Sequence, residues 1–531
     1  MRRPIITAAC VVVGLVAAGC SRGDSERART STGEVTSAAP LGSMSPASSR
    51  VVLDTNPVEA TVDDTGASTS TGPETGPSFT AVAADWSCPP DTPSTARCYR
   101  VDVPANWNEP AGSHISLPVV VVPASGSQVS PDPLVVLAGG PGGSGVDAAA
   151  AWSDPHRDVV LYDQRGSGAA LPALTCPERN DAWVANLRRD EPFDAEREAI
   201  VEAYSVCRTR LEAAGIDLDD YDTDASVRDL DAIRVALGYQ EWNLIGASYG
   251  ARLALAAMRA TPTTIRSVVL DSVDDVTEGG PAATQASGPR AFAELVLACR
   301  ESTACATAHP DLAGEIDAVE QTYDATPVRL QLDLGDGRGP QTFVITGSDM
   351  MAGLFQAMYD PALLTLIPSI VGDLAAGDTS IVEPLVRQSV ALQDTIAWGM
   401  SLSVNCADHA GLDLAADASA IADPGRFALV LAEPLCSEWP VDATSSTFNE
   451  PVTSEIPTLV IAGRFDPITP PQRSERAASR LANSTFAVWP NRGHGVTGDP
   501  CANSLMSVFL DDPSAVIDLG CVEAIPSLAF A

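Results

Sequence analysis

One stretch, residues 241–252, constrains the fold of this chain more than any other. A short apolar run from Trp242 to Ile245 leads into Gly246-Ala-Ser-Tyr-Gly250, and an Ala- and Leu-rich segment follows that ends before Pro262. This pattern predicts a strand that turns abruptly into a helix. Such a tight turn leaves no room for side chains at its flanks, which favours glycine, and the serine hydroxyl projects from the end of the sheet. Ser248 is therefore a candidate nucleophile, although a G-x-S-x-G match also arises where Ser and Gly simply meet in a loop.

Short apolar runs alternate with helical patterns around this stretch. Two predicted strands come first, and five continuous apolar runs follow that are typical of parallel strands buried on both faces. They lie at residues 99–104, 115–122, 133–138, 158–162, 265–270, 457–462 and 484–489. Residues 178–238 are mainly helical in pattern, with Gly238 as the final stop signal. The alternation predicts an α/β fold with a mostly parallel, doubly wound sheet.

The alternation breaks between residues 275 and 455. Amphipathic patterns predict helices at 291–300, 350–359 and 381–397, and a glycine-rich turn at 335–339 predicts a hairpin. We expect this block to be a large, mainly helical insertion packed over the ends of the sheet strands. Residues 85–274 and 456–531 then form the two parts of the core.

Two further loops carry polar residues directly after predicted strands. Asp466 follows the strand at 457–462, and His494 follows the strand at 484–489. In open α/β sheets, ligands bind at the carboxyl ends of the strands, which is the edge where Ser248 also lies. The order Ser248, Asp466, His494 is that of the α/β-hydrolase fold. An imidazole can act as the base for a serine hydroxyl, and a carboxylate can orient that imidazole. Each of the two residues taken alone could equally be an ordinary loop residue.

The glycine-rich loop at residues 139–145 has two interpretations. As an oxyanion hole, it would aim the N–H of Gly140 at a tetrahedral intermediate, together with the N–H of Tyr249. The same loop also matches G-x-G-x-x-G, with Asp163 about 20 residues further on, which is the spacing of a dinucleotide fingerprint. No convincing helix follows Gly145, which counts against the second interpretation.

The amino-terminal segment is typical of an export signal. Arg2 and Arg3 precede an apolar run, and Ala17-Ala-Gly19 leads into Cys20. This resembles a bacterial lipobox with Ala17 in place of the usual leucine, so residues 1–19 are predicted to be a signal peptide and Cys20 a lipidation site. Plain secretion is the alternative. Residues 20–84, rich in Ser, Thr, Gly and Pro, are predicted to be a disordered tether. We expect a protein held at the outer face of the cell membrane by its lipid, or released in part.

Ten of the twelve cysteines lie beyond Cys20, an even number in a chain expected to be exported. This favours disulfides, and sequence neighbours suggest five pairs, although sequence alone does not fix connectivity. The pairs are Cys88–Cys98, Cys176–Cys207, Cys299–Cys305, Cys406–Cys436 and Cys501–Cys521. With five histidines and no C-x-x-C, a metal site is not expected.

Charge and composition exclude several functions. The formal net charge is −37 and the chain contains no lysine. A surface this acidic repels phosphate backbones, so nucleic-acid binding is not expected. The absence of lysine excludes Schiff-base chemistry and a P-loop. No cofactor is expected.

Three motifs together resemble the proline iminopeptidase and tripeptidyl aminopeptidase group of α/β hydrolases. They are Gly139-Gly-Pro-Gly-Gly143, Tyr162-Asp-Gln-Arg-Gly-Ser-Gly168 and Gly246-Ala-Ser-Tyr-Gly250. The resemblance extends from about Trp86 to the carboxyl terminus and is strongest to exported actinobacterial members. Ala138 departs from the group, since iminopeptidases usually carry histidine before the double glycine.

The resemblance implies a serine hydrolase that removes a few residues from the free amino terminus of a peptide or protein. Asn405-Cys-Ala-Asp408 is similar to an element of relatives, which makes Asp408 a candidate anchor for the substrate amine; an ordinary surface acid is the alternative. Arg165 is expected to order its own loop by pairing with nearby acids. The same triad would also serve an esterase acting on envelope lipids or small acyl esters. A non-catalytic binding lipoprotein is a further alternative, which should lack a triad member.

Overall fold

The computed structural model describes residues 81–278, 280–412 and 433–530. The predicted signal peptide, the acylation of Cys20 and nearly all of the predicted tether lie outside these residues. The strands are β1 (Ala83–Asp85), β2 (Arg97–Pro104), β3 (His114–Val122), β4 (Leu134–Leu137), β5 (Val159–Tyr162), β6 (Trp242–Ser248), β7 (Ile265–Val273), β8 (Val328–Leu332), β9 (Gln341–Ile345), β10 (Thr458–Gly463) and β11 (Ser484–Trp489).

Nine strands form one sheet in the order β1-β2-β3-β5-β4-β6-β7-β10-β11. The pairs from β5 to β11 are parallel, and the three pairs at the other edge, β1 with β2, β2 with β3 and β3 with β5, are antiparallel. From β4 the chain first adds β5 on one side and later β6 on the other. The crevice above β4 and β6 is therefore the switch point at which such sheets bind ligands. The predicted α/β-hydrolase fold is confirmed.

The helices of the core cover both faces of this sheet. Those before the insertion are α1 (Pro177–Asn186), α2 (Phe193–Ala213), α3 (Thr223–Leu237) and α4 (Tyr249–Ala260). Helix α3 ends at Gly238, whose φ of 79° is left-handed as a glycine stop requires. Along β3, Val119 and Val121 pack in one apolar cluster while Val120 and Val122 pack in another, because successive strand residues face opposite sides. Burial of both faces explains the continuous apolar runs in the sequence.

Over its described residues, 275–278, 280–412 and 433–455, the insertion is mainly helical. Its helices are α5 (Gly280–Glu301), α6 (Thr303–Ala308), α7 (Leu312–Ala325), α8 (Gly347–Ala357), α9 (Pro361–Ala375), α10 (Val382–Gln393), α11 (Trp398–His409) and α12 (Glu433–Glu438). Strands β8 and β9 form the predicted antiparallel hairpin. The insertion has an apolar core of its own, which also includes the fully buried Phe465 of the main domain.

Three short helices complete the chain, namely α13 (Pro471–Ala478), α14 (Pro500–Asp511) and α15 (Gly520–Glu523). All five predicted disulfides are present with the predicted partners, at Cα separations of 5.1 to 5.9 Å. They indicate a protein that folds in an oxidising compartment. Within the described part of the chain, no helix has both the length and the apolar character needed to cross a membrane.

Candidate active site

The turn between β6 and α4 has the predicted strand–turn–helix form. Ser248 is the last residue of β6 and has φ 57° and ψ −122°, a conformation that is rare for any residue other than glycine. A Cβ atom on Gly246 would overlap the backbone of Gly250, and one on Gly250 would overlap the carbonyl of Leu137. Neither flank therefore tolerates a side chain, and Ser248 lies at the carboxyl edge of the sheet.

Asp466 and His494 meet at the same edge, in the loops after β10 and β11. The His494 Nδ1 atom lies 2.9 Å from Asp466 Oδ2, and both side chains are buried. The Asp466 Oδ1 atom accepts hydrogen bonds of 2.8 Å from the N–H groups of Ile468 and Thr469. The carboxylate is thus held rigidly, with its second oxygen presented to the imidazole.

Thr469 is a further polar residue of this site that sequence reasoning missed. Its hydroxyl lies 2.9 Å from Asp466 Oδ2 and 3.2 Å from His494 Nδ1. The only sequence signal is its position three residues after Asp466, in a turn. A threonine in such a turn is common, so the tertiary contact was needed to identify it.

The pair Asp466–His494 shifts the pKa values of both members. Burial disfavours both charged forms, but the mutual attraction and the hydrogen bonds outweigh it. The pKa of Asp466 is lowered below its usual value, chiefly by His494 among the groups that oppose burial. The pKa of His494 is raised, chiefly by Asp466. An ionised carboxylate thus stabilises the imidazolium that forms when a serine proton is transferred.

The glycine-rich loop follows β4, which pairs with the nucleophile strand β6. Gly140 has φ 119°, and in the part of the chain that the structure describes no acceptor takes its N–H. Tyr249 is the first residue of α4, so its N–H has no acceptor within the helix. The two predicted oxyanion donors are therefore backbone groups on adjacent strand ends, next to Ser248.

The Asp-Gln-Arg segment after β5 braces this loop. Asp163 accepts hydrogen bonds from the Ser144 hydroxyl at 2.8 Å and from the N–H of Val146 at 3.0 Å. Gln164 Nε2 donates to the carbonyl of Ala138 at 3.0 Å. These hydrogen bonds tie the Asp163 carboxylate to the glycine-rich loop. A 3₁₀ helix follows Gly145, whereas a dinucleotide site requires an α-helix at this position.

Arg165 has the ordering role expected of it. Its guanidinium is completely buried and forms a two-pronged ion pair with Asp229, with Nε 2.7 Å from Oδ2 and NH2 2.6 Å from Oδ1. It also donates to the carbonyl of Ala105 at 2.9 Å. The arginine thus ties the loop after β5 to helix α3 and to the end of β2.

The insertion contacts each of these loops. The N–H of Ala397 donates to the carbonyl of Gly142 at 3.0 Å, and Arg290 donates to the carbonyl of Asp466 at 2.7 Å. The ring of Tyr359 meets the imidazole of His494 edge to face, with 4.9 Å between the ring centres. The insertion therefore forms a roof that is anchored on the glycine-rich loop, on Asp466 and on His494.

Asp408 has a different environment from the one that the resemblance implied. Its side chain is fully buried, and it accepts hydrogen bonds from Thr223 Oγ1 at 2.7 Å, Thr444 Oγ1 at 2.9 Å and Arg252 NH1 at 3.1 Å. A substrate ammonium would have to displace these partners to reach it. The structure therefore makes Asp408 a link between helices α3, α4 and α11, and not an anchor for an amine.

This arrangement defines the chain as a hydrolase of the α/β-hydrolase fold. Residues 132–294 match the family described as alpha/beta hydrolase fold, and residues 426–520 match the family described as TAP-like protein. The chain thus has the α/β-hydrolase fold, and its carboxyl-terminal region is similar to the TAP-like family.

Named relatives support the same class. Serine protease Hip1 of Mycobacterium tuberculosis is 27% identical over 457 residues, which cover 79% of this chain and 85% of that protein. Carboxylesterase B of the same species is 28% identical over 466 residues, covering 80% and 86%. Tripeptidyl aminopeptidase of Streptomyces lividans is 31% identical over 206 residues, covering 36% and 37%.

Proposed function

We propose that this protein is an exported serine aminopeptidase that releases tripeptides or other short peptides from free amino termini. The observation that carries the proposal is the roof anchored over the catalytic edge at Gly142, Asp466 and His494. A roof that is fixed over the site favours substrates whose end enters the space beneath it. It disfavours a long polypeptide that would have to pass through that space. The relatives named serine protease and tripeptidyl aminopeptidase are consistent with this class of substrate.

The reaction would proceed through an acyl-enzyme. The Ser248 hydroxyl attacks the scissile carbonyl carbon while His494 takes its proton, and Asp466 stabilises the resulting imidazolium. The N–H groups of Gly140 and Tyr249 bind the oxyanion. The C–N bond then breaks as the imidazolium returns the proton to the leaving amine. Water then attacks the ester carbon while His494 takes its proton, and the imidazolium returns that proton to the Ser248 oxygen as the C–O bond breaks and the short peptide leaves.

A carboxylesterase acting on envelope lipids or small acyl esters is the second candidate. Carboxylesterase B aligns with this chain over a length similar to that of the serine protease, which favours keeping this alternative. The same nucleophile and oxyanion donors can cleave either bond. Because Asp408 is buried, its carboxylate is not exposed to bind a substrate amine, the role that the family resemblance implied for it.

The proposed location is the outer face of the cell membrane, with Cys20 acylated and residues 20–84 as a tether. The lipobox-like residues before Cys20 and the five disulfides support an exported, anchored protein. Contact with the membrane would then be through the lipid alone.

Three chromogenic substrates would test the proposal on the purified full-length protein. They are a tripeptide anilide with a free amine, its N-acetylated twin and a short-chain ester, with Ser248→Ala as the blank. An aminopeptidase should turn over the free-amine anilide and lose at least about tenfold in kcat/KM on acetylation, the effect of one lost charge pair. Turnover of the ester alone would assign the carboxylesterase activity instead.

A further inference from the structure

Strand β7 lies between the nucleophile strand β6 and strand β10, and its last residues carry an unusual backbone. Ser272 has a φ of 52°, and besides Ser248 it is the only non-glycine residue with positive φ in the described ranges. Such a conformation costs of order 1–3 kcal/mol and persists only where the surroundings enforce it. The next residue, Val273, pairs with Ser248 in the sheet register.

Ser272 contacts both of the loops that carry the proposed acid and base. Its hydroxyl accepts a hydrogen bond of 3.0 Å from the N–H of Gly495, the residue after His494. Its carbonyl oxygen lies 2.9 Å from the hydroxyl of Thr469, which in turn contacts Asp466 and His494. One strained residue is thus attached to both loops, one position from the register partner of the nucleophile.

Asp271 holds the same histidine loop from the other side. Its Oδ2 atom accepts hydrogen bonds from the N–H of Val496 at 2.8 Å and from the N–H and hydroxyl of Thr497, both at 2.7 Å. Its Oδ1 atom accepts from the Ser272 hydroxyl at 3.0 Å. All four partners are donors, which favours the ionised carboxylate, whereas complete burial raises the pKa of Asp271.

We propose that Asp271 and Ser272 are positioning residues that fix the loop of His494 to the strand beside Ser248, and that Asp271 adds its negative charge to the field at the imidazole. The backbone N–H groups of residues 495, 496 and 497 all bond to these two side chains. The imidazole therefore has two acidic supports. Asp466 bonds to its ring directly, and Asp271 acts through the backbone that follows it.

Several groups set the field at His494. Asp466 bonds to its ring, Asp271 lies near the end of β7, Asp274 directly follows that strand, and the uncharged ring of Tyr359 packs on the imidazole from the insertion. Each of the three carboxylates stabilises the imidazolium. Removing the charge of Asp271 should therefore make His494 a weaker base. If Asp271 only stabilised the fold, removing its charge would leave the titration of His494 unchanged.

The test uses the rate at which a fluorophosphonate probe labels Ser248, measured against pH on the full-length protein. Labelling uses the nucleophile, its base and the oxyanion donors but no peptide or ester, so the result does not depend on which of these is the substrate. Asp271→Asn can keep the hydrogen bonds to residues 496 and 497 while it removes the charge. We expect the acidic limb of this variant's labelling rate, plotted against pH, to lie at lower pH than that of the unmodified protein.

Ser272→Ala is the second variant, because it retains Asp271 but leaves the N–H of Gly495 without its acceptor. We expect its labelling rate at the optimum pH to fall by about tenfold, as is common for supporting residues. Asp132→Asn is the control, since it removes a buried carboxylate at the opposite edge of the sheet, where Asp132 pairs with Arg157. This control variant should have a lower melting temperature. Its labelling rate at the optimum pH and the acidic limb of its pH profile should be unchanged.

Failure of Ser248 to label in the unmodified protein would refute the proposed nucleophile and not this inference alone. With labelling intact, the inference is overturned if Asp271→Asn keeps the acidic limb of the unmodified protein. Should Asp271→Asn not fold, the Ser272→Ala rate decides: a rate within about twofold of the unmodified protein overturns the positioning role, since supporting residues usually contribute tenfold or more.

Discussion

The N–H of Ala397 donates a 3.0 Å hydrogen bond to the carbonyl of Gly142, which joins the insertion to the glycine-rich loop at residues 139–145. Gly143 and Ile396 form an isolated antiparallel bridge at the same place. The roof and the loop are therefore one hydrogen-bonded unit. A change at this junction should affect catalysis even where it leaves the core of the protein intact.

Gly142→Ala is expected to reduce kcat/KM by about 100-fold, the effect of losing one oxyanion donor. A Cβ atom there would lie 2.7 Å from the carbonyl oxygen of Ala397, so the loop must move. Gly335→Ala is the matched control, because Gly335 also has a positive φ but nothing lies within 4 Å of its added Cβ. Both variants carry left-handed strain, and only the first should lose activity in a steady-state assay. Equal activities would contradict the role of this junction.

The acidic limb of kcat/KM should lie above pH 6.5, the ordinary value for histidine. The base must be neutral, and the pKa of His494 is raised by Asp466 against the effect of burial. Activity is then lost as pH falls through the raised pKa, with a slope of one proton. A pH profile of the ester or anilide reaction measures this directly, and a limb below the ordinary value would contradict the ion pair.

At His494, stability should respond to pH in the opposite sense to activity. The raised pKa of His494 means that its stabilisation is fully present below pH 6.5 and is lost as pH rises through the folded-state value. The lowered pKa of Asp466 stabilises the fold above pH 3.8 and is lost as pH falls through its folded-state value. Melting temperatures of Asp466→Asn should therefore differ most from those of the unmodified protein between these two limits, as calorimetry across pH can establish.

Arg165→Met should lower the free energy of unfolding by about 3–5 kcal/mol, because it leaves Asp229 charged and buried without its partner. Neither side chain of this ion pair is more than 1% exposed. Arg338→Met is the control, since its ion pair with Asp181 is more than half exposed on both sides. Exposed pairs contribute at most about 1 kcal/mol. Urea unfolding of both variants tests the contrast, and similar losses would refute it.

Replacing both members of Cys176–Cys207 by serine should destabilise the protein more than replacing both members of Cys299–Cys305. The two bridges close segments of 31 and 6 residues. Loop-closure entropy predicts a difference of about 1.5 kcal/mol between them. Thermal unfolding of the two double variants measures the difference, and peptide mapping without reductant verifies which pairs remain.

The sheet, and the edge at which Ser248, Asp466 and His494 lie, could be predicted from the sequence because local patterns encode them. The apolar runs, the stop at Gly238 and the glycines around Ser248 each report a local requirement of the backbone. The five disulfide pairs were also predicted correctly, since each joins cysteines that are neighbours in the sequence.

Asp408 shows where that kind of reasoning ends. Its motif marked it as polar and close to the site, but its partners Thr223, Thr444 and Arg252 are distant in the sequence. Whether a carboxylate is free to bind a ligand depends on which long-range donors reach it. No periodicity or spacing in the sequence reports this.

The sequence by itself determined the strand–turn–helix at Ser248, the sheet and the order of the three polar residues along the chain. Only the tertiary structure decided which groups support them: Thr469 and Ser272 beside the pair, Asp271 under the histidine loop, and the roof anchored at Gly142. The physical reason is that backbone conformation is set by near neighbours, whereas burial and hydrogen bonding depend on segments that only the completed fold brings together.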